Sequence, residues 1–393
     1  MKIKIGVIFG GRSVEHEVSI ISAIQTMDTI DKDKYTVIPI YISKKGIWYT
    51  GDKLFDIDNF KDMDRLLTKC RKIILSNNVG ENTIYSLPQR RDLFSAFRKK
   101  VIDLVDVALP VLHGTNGEDG ALQGLLELIN IPYVGCNVIS SAIGMDKITM
   151  KVLLKEANLP VVKYLWFYAK TWLKENDSII EKIEKELKFP VIVKPANLGS
   201  SIGIQKANDR DELEDAVDLA RSFSPKILVE KAITNLREIN CSVLGDYENV
   251  QASVCEEPLS SSEILTFQDK YLRDSKTKGM SSLKRRLPAD LPEETSNFIR
   301  GMAQKTFLAL ECNGVSRVDF LLDKYTEKTY INEINTIPGS LSFYLWEATG
   351  KSFSELIDEL IQLALKRYRE KENLIFYYDS NILSLKGKKG LKK

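Results

Sequence analysis

The sequence predicts an α/β protein (α+β overall) with a parallel sheet in its first part, and three observations support this. Apolar segments typical of strands alternate with segments whose apolar residues recur at helical spacing. Glycine-rich turns follow two of the apolar segments, at 10–11 and 113–120. Such alternation forms parallel sheets, because each helix carries the chain back to the starting edge. A length of 393 residues exceeds one ordinary core and predicts two or three domains.

The first part of the chain contains three predicted strands and two predicted helices. The strands lie at 3–9, 36–42 and 105–110, where apolar residues run almost uninterrupted, as in buried strands. Residues 50–100 are polar and irregular and predict no clear element. The helices are predicted from apolar residues at helical spacing, which are Ile20, Ala23, Ile24 and Met27, and then Leu122, Leu125, Leu126 and Ile129.

The second part is predicted to be richer in strands, at 189–194, 227–230, 239–244, 317–322 and 329–334. Ser352 and Glu355 have the spacing of a capping box at the start of a helix. Two helices are predicted in this part, the second of them at the capping box. Their apolar faces are formed by Met150, Leu153, Leu154 and Ala157, and by Phe353, Leu356, Ile357, Leu360 and Ala364. The Gly/Lys-rich tail at 386–393 is expected to be a solvated segment rather than a nucleic-acid contact.

Charge and cysteine content argue against several classes of function. Lys and Arg number 56 and Asp and Glu 54, so the net charge of +2 gives no argument for nucleic-acid or membrane binding. The five cysteines are scattered and no pair has CxxC spacing, which argues against a disulfide framework or a zinc site. No apolar run has the length of a membrane span or a signal peptide. A reducing cytoplasm fits these features.

Two predicted strands carry side chains suited to a metal ion. Arg317 and Asp319 stand two residues apart and share a strand face, as do Glu333 and Asn335. Two carboxylates and an amide oxygen suit Mg²⁺, which usually takes one or two protein carboxylates together with nucleotide phosphates. A guanidinium suits a phosphate or a developing oxyanion. An exposed strand face with paired charges is the alternative.

Two further segments have features of a nucleotide site. Lys194 begins a Gly/Ser-rich loop, 194–203, whose backbone N–H groups and hydroxyls could surround phosphate oxygens. Glu230 and Lys231 end an apolar strand, where a linker between two lobes could form an adenine slot. An ordinary turn and ordinary surface charges are the respective alternatives.

The two histidines and one glutamate lie in glycine-rich segments. His16 and His113 each follow a predicted strand, and Glu15 comes directly after the first glycine pair. The ligand crevice of an open α/β sheet lies beyond the carboxyl ends of its strands, which makes a site role for His113 as plausible as a core role.

In this order, these segments resemble the ATP-grasp superfamily and, within it, the D-alanine–D-alanine ligase family. The resemblance extends from Lys4 to about Arg367. It rests on an ordered set of segments, which are GGRSVEHEVS at 10–19, HGTNGEDGALQGLLE at 113–127, GMDK at 144–147, VKPANLGSSIG at 193–203 and EINTIPG at 333–339. Each segment is modestly specific, whereas the ordered set is highly specific.

The resemblance implies an ATP-grasp fold preceded by a parallel α/β domain. It places an N-terminal substrate domain at 1–138, a central lobe at 139–229 and a C-terminal catalytic lobe at 230–385. A lid loop is expected at about 259–287, where the sequence is long, polar and without periodicity. The basic tail at 386–393 lies outside the domains.

The resemblance also implies roles for individual residues. Glu15 would receive the ammonium group of D-alanine, with His113 and Glu118 in the same pocket. The triad that closes the lid would be Glu15, Ser200 and Tyr271. The residues implied to contact ATP are Lys147, Lys194, Ser201, Glu230, Lys231, Ile233, Glu238 and Lys270.

The same resemblance assigns the catalytic lobe its metal and oxyanion sites. Asp319, Glu333 and Asn335 would hold two Mg²⁺ ions, with Mn²⁺ as a possible substitute. Arg317 and the backbone N–H of Gly339 would stabilise the tetrahedral oxyanion.

The chain departs from the family at 340–346, which reads SLSFYLW. The family commonly has a serine there that binds the carboxylate of the second D-alanine, and this chain has Tyr344, followed by Leu345. A phenol can donate a hydrogen bond but is far bulkier than a serine hydroxyl. The second subsite is therefore expected to be reshaped. Either Ser340, Ser342 or Tyr344 binds a second D-alanine, or the acceptor is different.

The implied reaction is the ATP-dependent joining of two D-alanines through an acyl phosphate, for peptidoglycan precursor synthesis. One alternative is a related ligase with D-Ser, D-lactate or another amino acid as acceptor. The other is a non-catalytic nucleotide-binding regulator, which should have lost metal or lid residues, and this chain has lost none. The family also implies a homodimer without nucleic-acid or membrane partners.

Overall fold

The computed structural model describes residues 2–87, 100–199, 201–259 and 285–378. Ser200, Lys270 and Tyr271 lie outside these residues, as do most of the predicted lid loop and the basic tail. The roles expected of them, and the domain boundaries at 138 and 229, stay predictions.

The first sheet has seven strands with a parallel centre. Its strands are β1 (Ile3–Gly10), β2 (Tyr35–Ile42), β3 (Trp48–Thr50), β4 (Arg71–Leu75), β5 (Thr83–Ser86), β6 (Lys100–Leu104) and β7 (Val107–Val111). They lie in the order β6-β5-β4-β3-β2-β1-β7, and β1 pairs in parallel with β2 and β7. This confirms the predicted parallel sheet. The remaining strands pair antiparallel and arise largely from the segment without a sequence assignment.

Two antiparallel sheets follow. The second sheet consists of β8 (Tyr164–Tyr168), β9 (Val191–Pro195), β10 (Gln205–Ala207) and β11 (Lys226–Lys231), in the order β10-β9-β11-β8. The third consists of β12 (Leu236–Gly245), β13 (Val250–Pro258), β14 (Arg285–Arg286), β15 (Gly314–Asp323) and β16 (Thr329–Asn335), in the order β14-β13-β12-β15-β16. The strands predicted in the second half of the chain are therefore confirmed.

The described α-helices are α1 (His16–Thr29), α2 (Met63–Lys69), α3 (Ala121–Leu128), α4 (Val138–Met145), α5 (Lys147–Glu156), α6 (Ala169–Glu186), α7 (Arg210–Ala220), α8 (Glu293–Ala309), α9 (Phe343–Glu347) and α10 (Phe353–Glu372). Short 3₁₀ turns lie at Asp52–Phe55, Ile57–Lys61 and Gly339–Ser342. Across these described helices, none is both long enough and apolar enough to cross a bilayer.

The predicted helix faces are mostly buried. Leu125 and Ala157 are exceptions, because both are exposed. Leu125 lies at the edge of the α3 stripe, whereas Leu122 and Leu126 reach the core that covers one face of the first sheet. Ala157 follows the last residue of α5, where the chain has left the helix.

The last helix returns to the first sheet and closes the molecule around the site. Ser352 and Glu355 form the predicted capping box at its start. Leu356 and Leu360 of α10 then share a core with Phe9 of β1. This return brings the Gly339–Ser342 turn against α1 and β15, so that the N-terminal and C-terminal parts of the chain meet.

Candidate active site

A cleft of about 360 Å³ opens between the second and third sheets. Of the residues expected to contact ATP, those that line it are Lys194, Ser201, Glu230, Lys231, Ile233 and Glu238. The expected metal ligands Asp319 and Glu333 line it as well. Residues predicted separately, from segments far apart in sequence, thus face one cavity.

Strands β15 and β16 place the predicted metal-binding side chains on one face. Arg317 stands opposite Asn335, and Asp319 opposite Glu333. The Arg317 guanidinium contacts both carboxylate oxygens of Asp319, at 2.6 and 2.7 Å. Asn335 Nδ2 donates to Asp319 Oδ2 at 3.0 Å. Burial alone would lower the pKa of Arg317, but Asp319 raises it well above its usual value, so this cation keeps its charge.

A β-bulge beside Asp319 adds a residue to the site that the sequence did not reveal. Phe320 stands opposite Ile331, so Asn332 is the extra residue on β16. Its side-chain oxygen accepts a hydrogen bond from Lys194 Nζ at 2.8 Å. The bulge thereby ties Lys194 to β16, which carries two of the predicted metal ligands.

Behind the cleft lies a buried charge network centred on Glu230. Its two carboxylate oxygens lie 2.6 Å from Lys151 Nζ and 2.5 Å from Lys194 Nζ. Lys151 is fully buried, and sequence analysis missed it because it lies on a helix whose apolar face dominated the pattern. Burial alone would raise the pKa of Glu230, but the two lysines hold it at about 2. The carboxylate is therefore ionised and holds both ammonium groups in place.

Lys147 joins the glycine-rich loop to β16. Its ammonium lies 3.1 Å from Glu333 Oε2 and donates to the carbonyl of Leu198 at 2.8 Å. Asn197, in the same loop, donates to Asp146 Oδ2 at 3.0 Å. Lys147 and Lys194 therefore contact neighbouring residues of β16, Glu333 and Asn332, beside the predicted metal ligands.

At the other end of the cleft, the predicted adenine slot has apolar walls. Lys231 directs its ammonium to the carbonyl oxygens of Lys188 and Phe189, at 3.0 and 3.2 Å. The Glu230 carboxylate is likewise paired with Lys151 and Lys194. An adenine ring in this slot would therefore contact backbone groups and apolar side chains. The apolar side chains that line the cleft are Ile192, Ile204, Ala232, Ile233, Leu236, Phe320 and Leu321.

Glu15 and Glu118 lie close together at the end of the first sheet. Glu118 accepts hydrogen bonds from the backbone N–H groups of Gly114, at 2.8 Å, and Ile337, at 3.0 Å. Burial, and then the neighbouring Glu15 carboxylate, raise the pKa of Glu118. A Cβ atom at Gly199 would lie 3.0 Å from Glu15 Oε2, so the glycine-rich loop also reaches this pocket. The raised pKa of Glu118, about 8, favours its protonated form at pH 7, and the Glu15 carboxylate beside it favours a cationic ligand group.

His113 links this pocket to the turn after Gly339. Its Nδ1 lies 2.9 Å from the Ile337 carbonyl, which can only accept, so Nδ1 carries the proton. Nε2 therefore accepts from the Ser22 hydroxyl at 3.0 Å, and that oxygen accepts from the Ser340 N–H at 3.0 Å. Burial lowers the pKa of His113 to about 4, which keeps the ring neutral at pH 7. His16, by contrast, bonds Gly11 and Tyr41 inside the first domain.

Beyond Gly339, two of the three hydroxyls expected to contact the second substrate are engaged elsewhere, whereas the buried Ser342 hydroxyl has no hydrogen-bond partner among the described residues. Ser340 Oγ donates to Gln25 Oε1 at 2.7 Å, and Tyr344 OH donates to Glu256 Oε1 at 2.9 Å. The Leu345 side chain is fully buried, so only its backbone could meet a substrate. The contact between Tyr344 and Glu256 was not predicted, because no periodic pattern relates two residues so far apart in sequence.

The chain matches two family models and several known proteins over most of its length. A model described as "D-ala D-ala ligase N-terminus" matches residues 4–136, and one described as "D-ala D-ala ligase C-terminus" matches residues 153–362. A D-alanine–D-alanine ligase from Thermosipho melanesiensis is 44% identical over 98% of this chain and 99% of the relative.

Solved structures agree with these matches. A D-alanine–D-alanine ligase from Coxiella burnetii is 32% identical with a TM-score of 0.76, covering 94% of this chain and 96% of that one. A D-Ala:D-Ser ligase from Enterococcus faecalis is 33% identical with a TM-score of 0.77, covering 93% and 100%. With the lysines, carboxylates and glycine-rich loops in the arrangement described above, the chain belongs to the D-alanine–D-alanine ligase family.

Proposed function

We propose that this chain uses ATP to join D-alanine to a second D-alanine through an acyl phosphate, as a step in peptidoglycan precursor synthesis. The observation that carries the proposal is the convergence of Lys147 and Lys194 on the face formed by Asp319 and Glu333. Two lysines beside two carboxylates, three of these four side chains lining one cleft, suit a nucleoside triphosphate and its counter-ions. Family membership supports the same reaction.

The donor set around Asp319 fits Mg²⁺. Asp319, Glu333 and Asn335 present hard oxygen atoms on one strand face, and Arg317 and Lys147 now balance the carboxylate charge. Over the described ranges, no cluster of three or more His, Cys, Asp or Glu residues could hold a metal alone. Mg²⁺ usually completes its shell with phosphate oxygens and water, so two carboxylates suffice. We infer two Mg²⁺ ions, replaceable by Mn²⁺, which would offset the charge of the phosphates.

The proposed reaction has two steps, and different residues act in each of them. The donor carboxylate attacks the γ-phosphorus of ATP, the bond to the bridging oxygen breaks and ADP leaves, while Lys147 and Lys194 hold the phosphates, because phosphoryl transfer depends on positioning and charge. The neutral amine of the acceptor then attacks the acyl carbon, and phosphate and the amine proton leave. Arg317 and the Gly339 N–H would stabilise the oxyanion. Glu15, beside His113 and Glu118, would hold the donor ammonium, with Ser200, Lys270 and Tyr271 completing the closed site.

A second candidate function differs only in its acceptor. Tyr344 occupies the position where the family has a serine, and its hydroxyl already bonds Glu256. D-Ser, D-lactate or another amino acid is therefore the alternative acceptor, and a structural neighbour is a D-Ala:D-Ser ligase. A non-catalytic regulator is disfavoured, because none of the phosphate and metal residues is lost from the chain, and Lys194, Asp319 and Glu333 line one cleft.

The deciding experiment is product identification. The protein is incubated with ATP, Mg²⁺ and D- and L-amino acids and hydroxy acids, ADP release is followed by a coupled assay, and products are identified by mass spectrometry. We expect D-alanyl-D-alanine. ADP release with another donor but none with D-alanine would contradict the donor assignment. Homodimer formation and a cytoplasmic location are further proposals, and sedimentation of the purified protein tests the former.

A further inference from the structure

A buried cluster beside Arg317 contains a second guanidinium, that of Arg285, which has no role in the reaction proposed above. Glu256 accepts hydrogen bonds from Tyr344 OH, from Asn240 Nδ2 and from Arg285 Nη1, at 2.9, 3.0 and 2.9 Å. The Arg285 guanidinium also stacks on the Tyr344 ring, 4.0 Å from its centroid. Four side chains from four segments therefore fix one another's positions.

The strand register places this cluster next to the proposed reaction centre. Glu256 on β13 stands opposite Asn240 on β12, and Asn240 stands opposite Asp319 on β15. The charge of Glu256 and the phenol of Tyr344 also act on the pKa of Arg317. The cluster thus lies along one row of the sheet, beside the guanidinium proposed to stabilise the oxyanion.

The acceptors proposed above, D-alanine, D-serine and D-lactate, carry a carboxylate on the carbon that bears the attacking group, so this carboxylate comes close to Arg317 when the acceptor attacks the acyl carbon. Ser340 and Tyr344 already donate their hydroxyl protons to Gln25 and Glu256. The Arg285 guanidinium carries five N–H donors in a plane, of which Nη1 donates to Glu256, and such a planar fork matches a carboxylate in charge and shape. Its side chain is 10% exposed and its orientation is fixed, so little flexibility is lost on binding.

We propose that Arg285, oriented by Glu256 and the Tyr344 ring, receives the α-carboxylate of the acceptor. This inference rests on the proposed ligase function and sharpens it, because it makes the acceptor a compound with a free α-carboxylate. Tyr344 acts as a positioning residue, and its ring limits the size of the subsite.

The test uses Arg285→Met and measures formation of the acyl phosphate separately from its reaction with the acceptor. Hydroxylamine intercepts the acyl phosphate: its nitrogen attacks the acyl carbon, the bond to the phosphate oxygen breaks, and a hydroxamate forms without any acceptor carboxylate. We expect near-normal D-alanyl hydroxamate formation. The KM for the acceptor should rise roughly 10- to 100-fold, as for loss of a hydrogen bond to a charged group. The neighbouring Arg286 has a side chain that is 55% exposed, so Arg286→Met is the matched control. It should change the KM for the acceptor by less than about threefold.

A second readout uses D-alaninamide, which can act only as acceptor. The parent protein should strongly prefer D-alanine over D-alaninamide, and Arg285→Met should lose most of this preference. An unchanged acceptor KM would overturn the proposal, as would a parallel loss of hydroxamate formation in a folded variant. A raised acceptor KM in Ser342→Ala but not in Arg285→Met would assign the carboxylate to Ser342 instead.

Two outcomes need separate treatment. If Arg285→Met does not fold, Arg285→Lys keeps the charge but loses the fork, and the same preference for D-alanine over D-alaninamide should fall. If it does not fall, the inference is wrong. If the parent protein makes no hydroxamate from D-alanine and ATP, the proposed function itself fails, which is a different result from an unaffected Arg285 variant.

Discussion

Replacing Lys151 by methionine tests whether a buried lysine holds the phosphate side of the cleft in place. The change keeps an unbranched side chain of similar length but removes the ammonium that lies 2.6 Å from Glu230 Oε1. Glu230 would then share its charge with Lys194 alone. Because these groups are buried, the network would lose a compensating charge that water cannot replace.

Breaking a buried ion pair by removing one partner costs about 3–5 kcal/mol. Lys151 and Lys194 together hold the pKa of Glu230 at about 2 instead of 4.5, whereas burial lowers the pKa of Lys151 itself, so the loss expected from removing Lys151 alone lies at the lower end of that range. A depressed carboxyl pKa contributes stability that is complete above pH 4.5 and is lost as the pH falls towards 2. At pH 7 we therefore expect Lys151→Met to lose about 3 kcal/mol and to raise the KM for ATP, because Lys194 is drawn towards Glu230.

The assay is guanidinium unfolding at pH 7, followed by fluorescence and circular dichroism, together with ATP kinetics. Lys155→Met is the matched control on the same helix. Lys155 is exposed and its ammonium lies 4.2 Å from the centroid of the Tyr164 ring, so its loss should cost below about 1 kcal/mol. Equal losses in the two variants, or an unchanged KM for ATP in Lys151→Met, would refute the role assigned to the buried network.

Two further predictions concern the metal site and the neutral histidine. Asp319→Ala and Glu333→Gln should each abolish turnover in a folded protein, because each removes a hard oxygen ligand; near-normal ATP consumption in both would contradict the metal assignment. Since burial lowers the pKa of His113 from 6.5 to about 4, the unfolded chain binds that proton first, and stability falls as the pH drops through this range. His113→Gln should therefore show a shallower fall of Tm between pH 6.5 and 4. An equally steep fall would contradict this account.

Much of the site follows from short-range sequence patterns. Side chains alternate along a strand, so the pairing of Arg317 with Asp319, and of Glu333 with Asn335, needed only the strand assignment. The structure confirms both faces. The capping box at Ser352 is local in the same sense, because both of its hydrogen bonds lie within one helical turn.

Other parts of the fold and of the site depend on contacts between segments that are far apart in the sequence. The antiparallel half of the first sheet comes from short strands such as β3 and β5, whose apolar periods are too brief to detect and which form by pairing with their neighbours. The bulge at Asn332 depends on the register between β15 and β16, which neither strand encodes alone.

The sequence by itself determined the strands with continuous apolar segments, the order of the glycine-rich and acidic segments, and the family to which they belong, because these are properties of neighbouring residues. Only the tertiary structure decided that Lys151 is a buried ion rather than a surface lysine, and that Tyr344 bonds Glu256. The physical reason is that burial and ion pairing are set by long-range contacts. A lysine or a tyrosine acquires its charge partners, and therefore its chemistry, from segments far away in the chain.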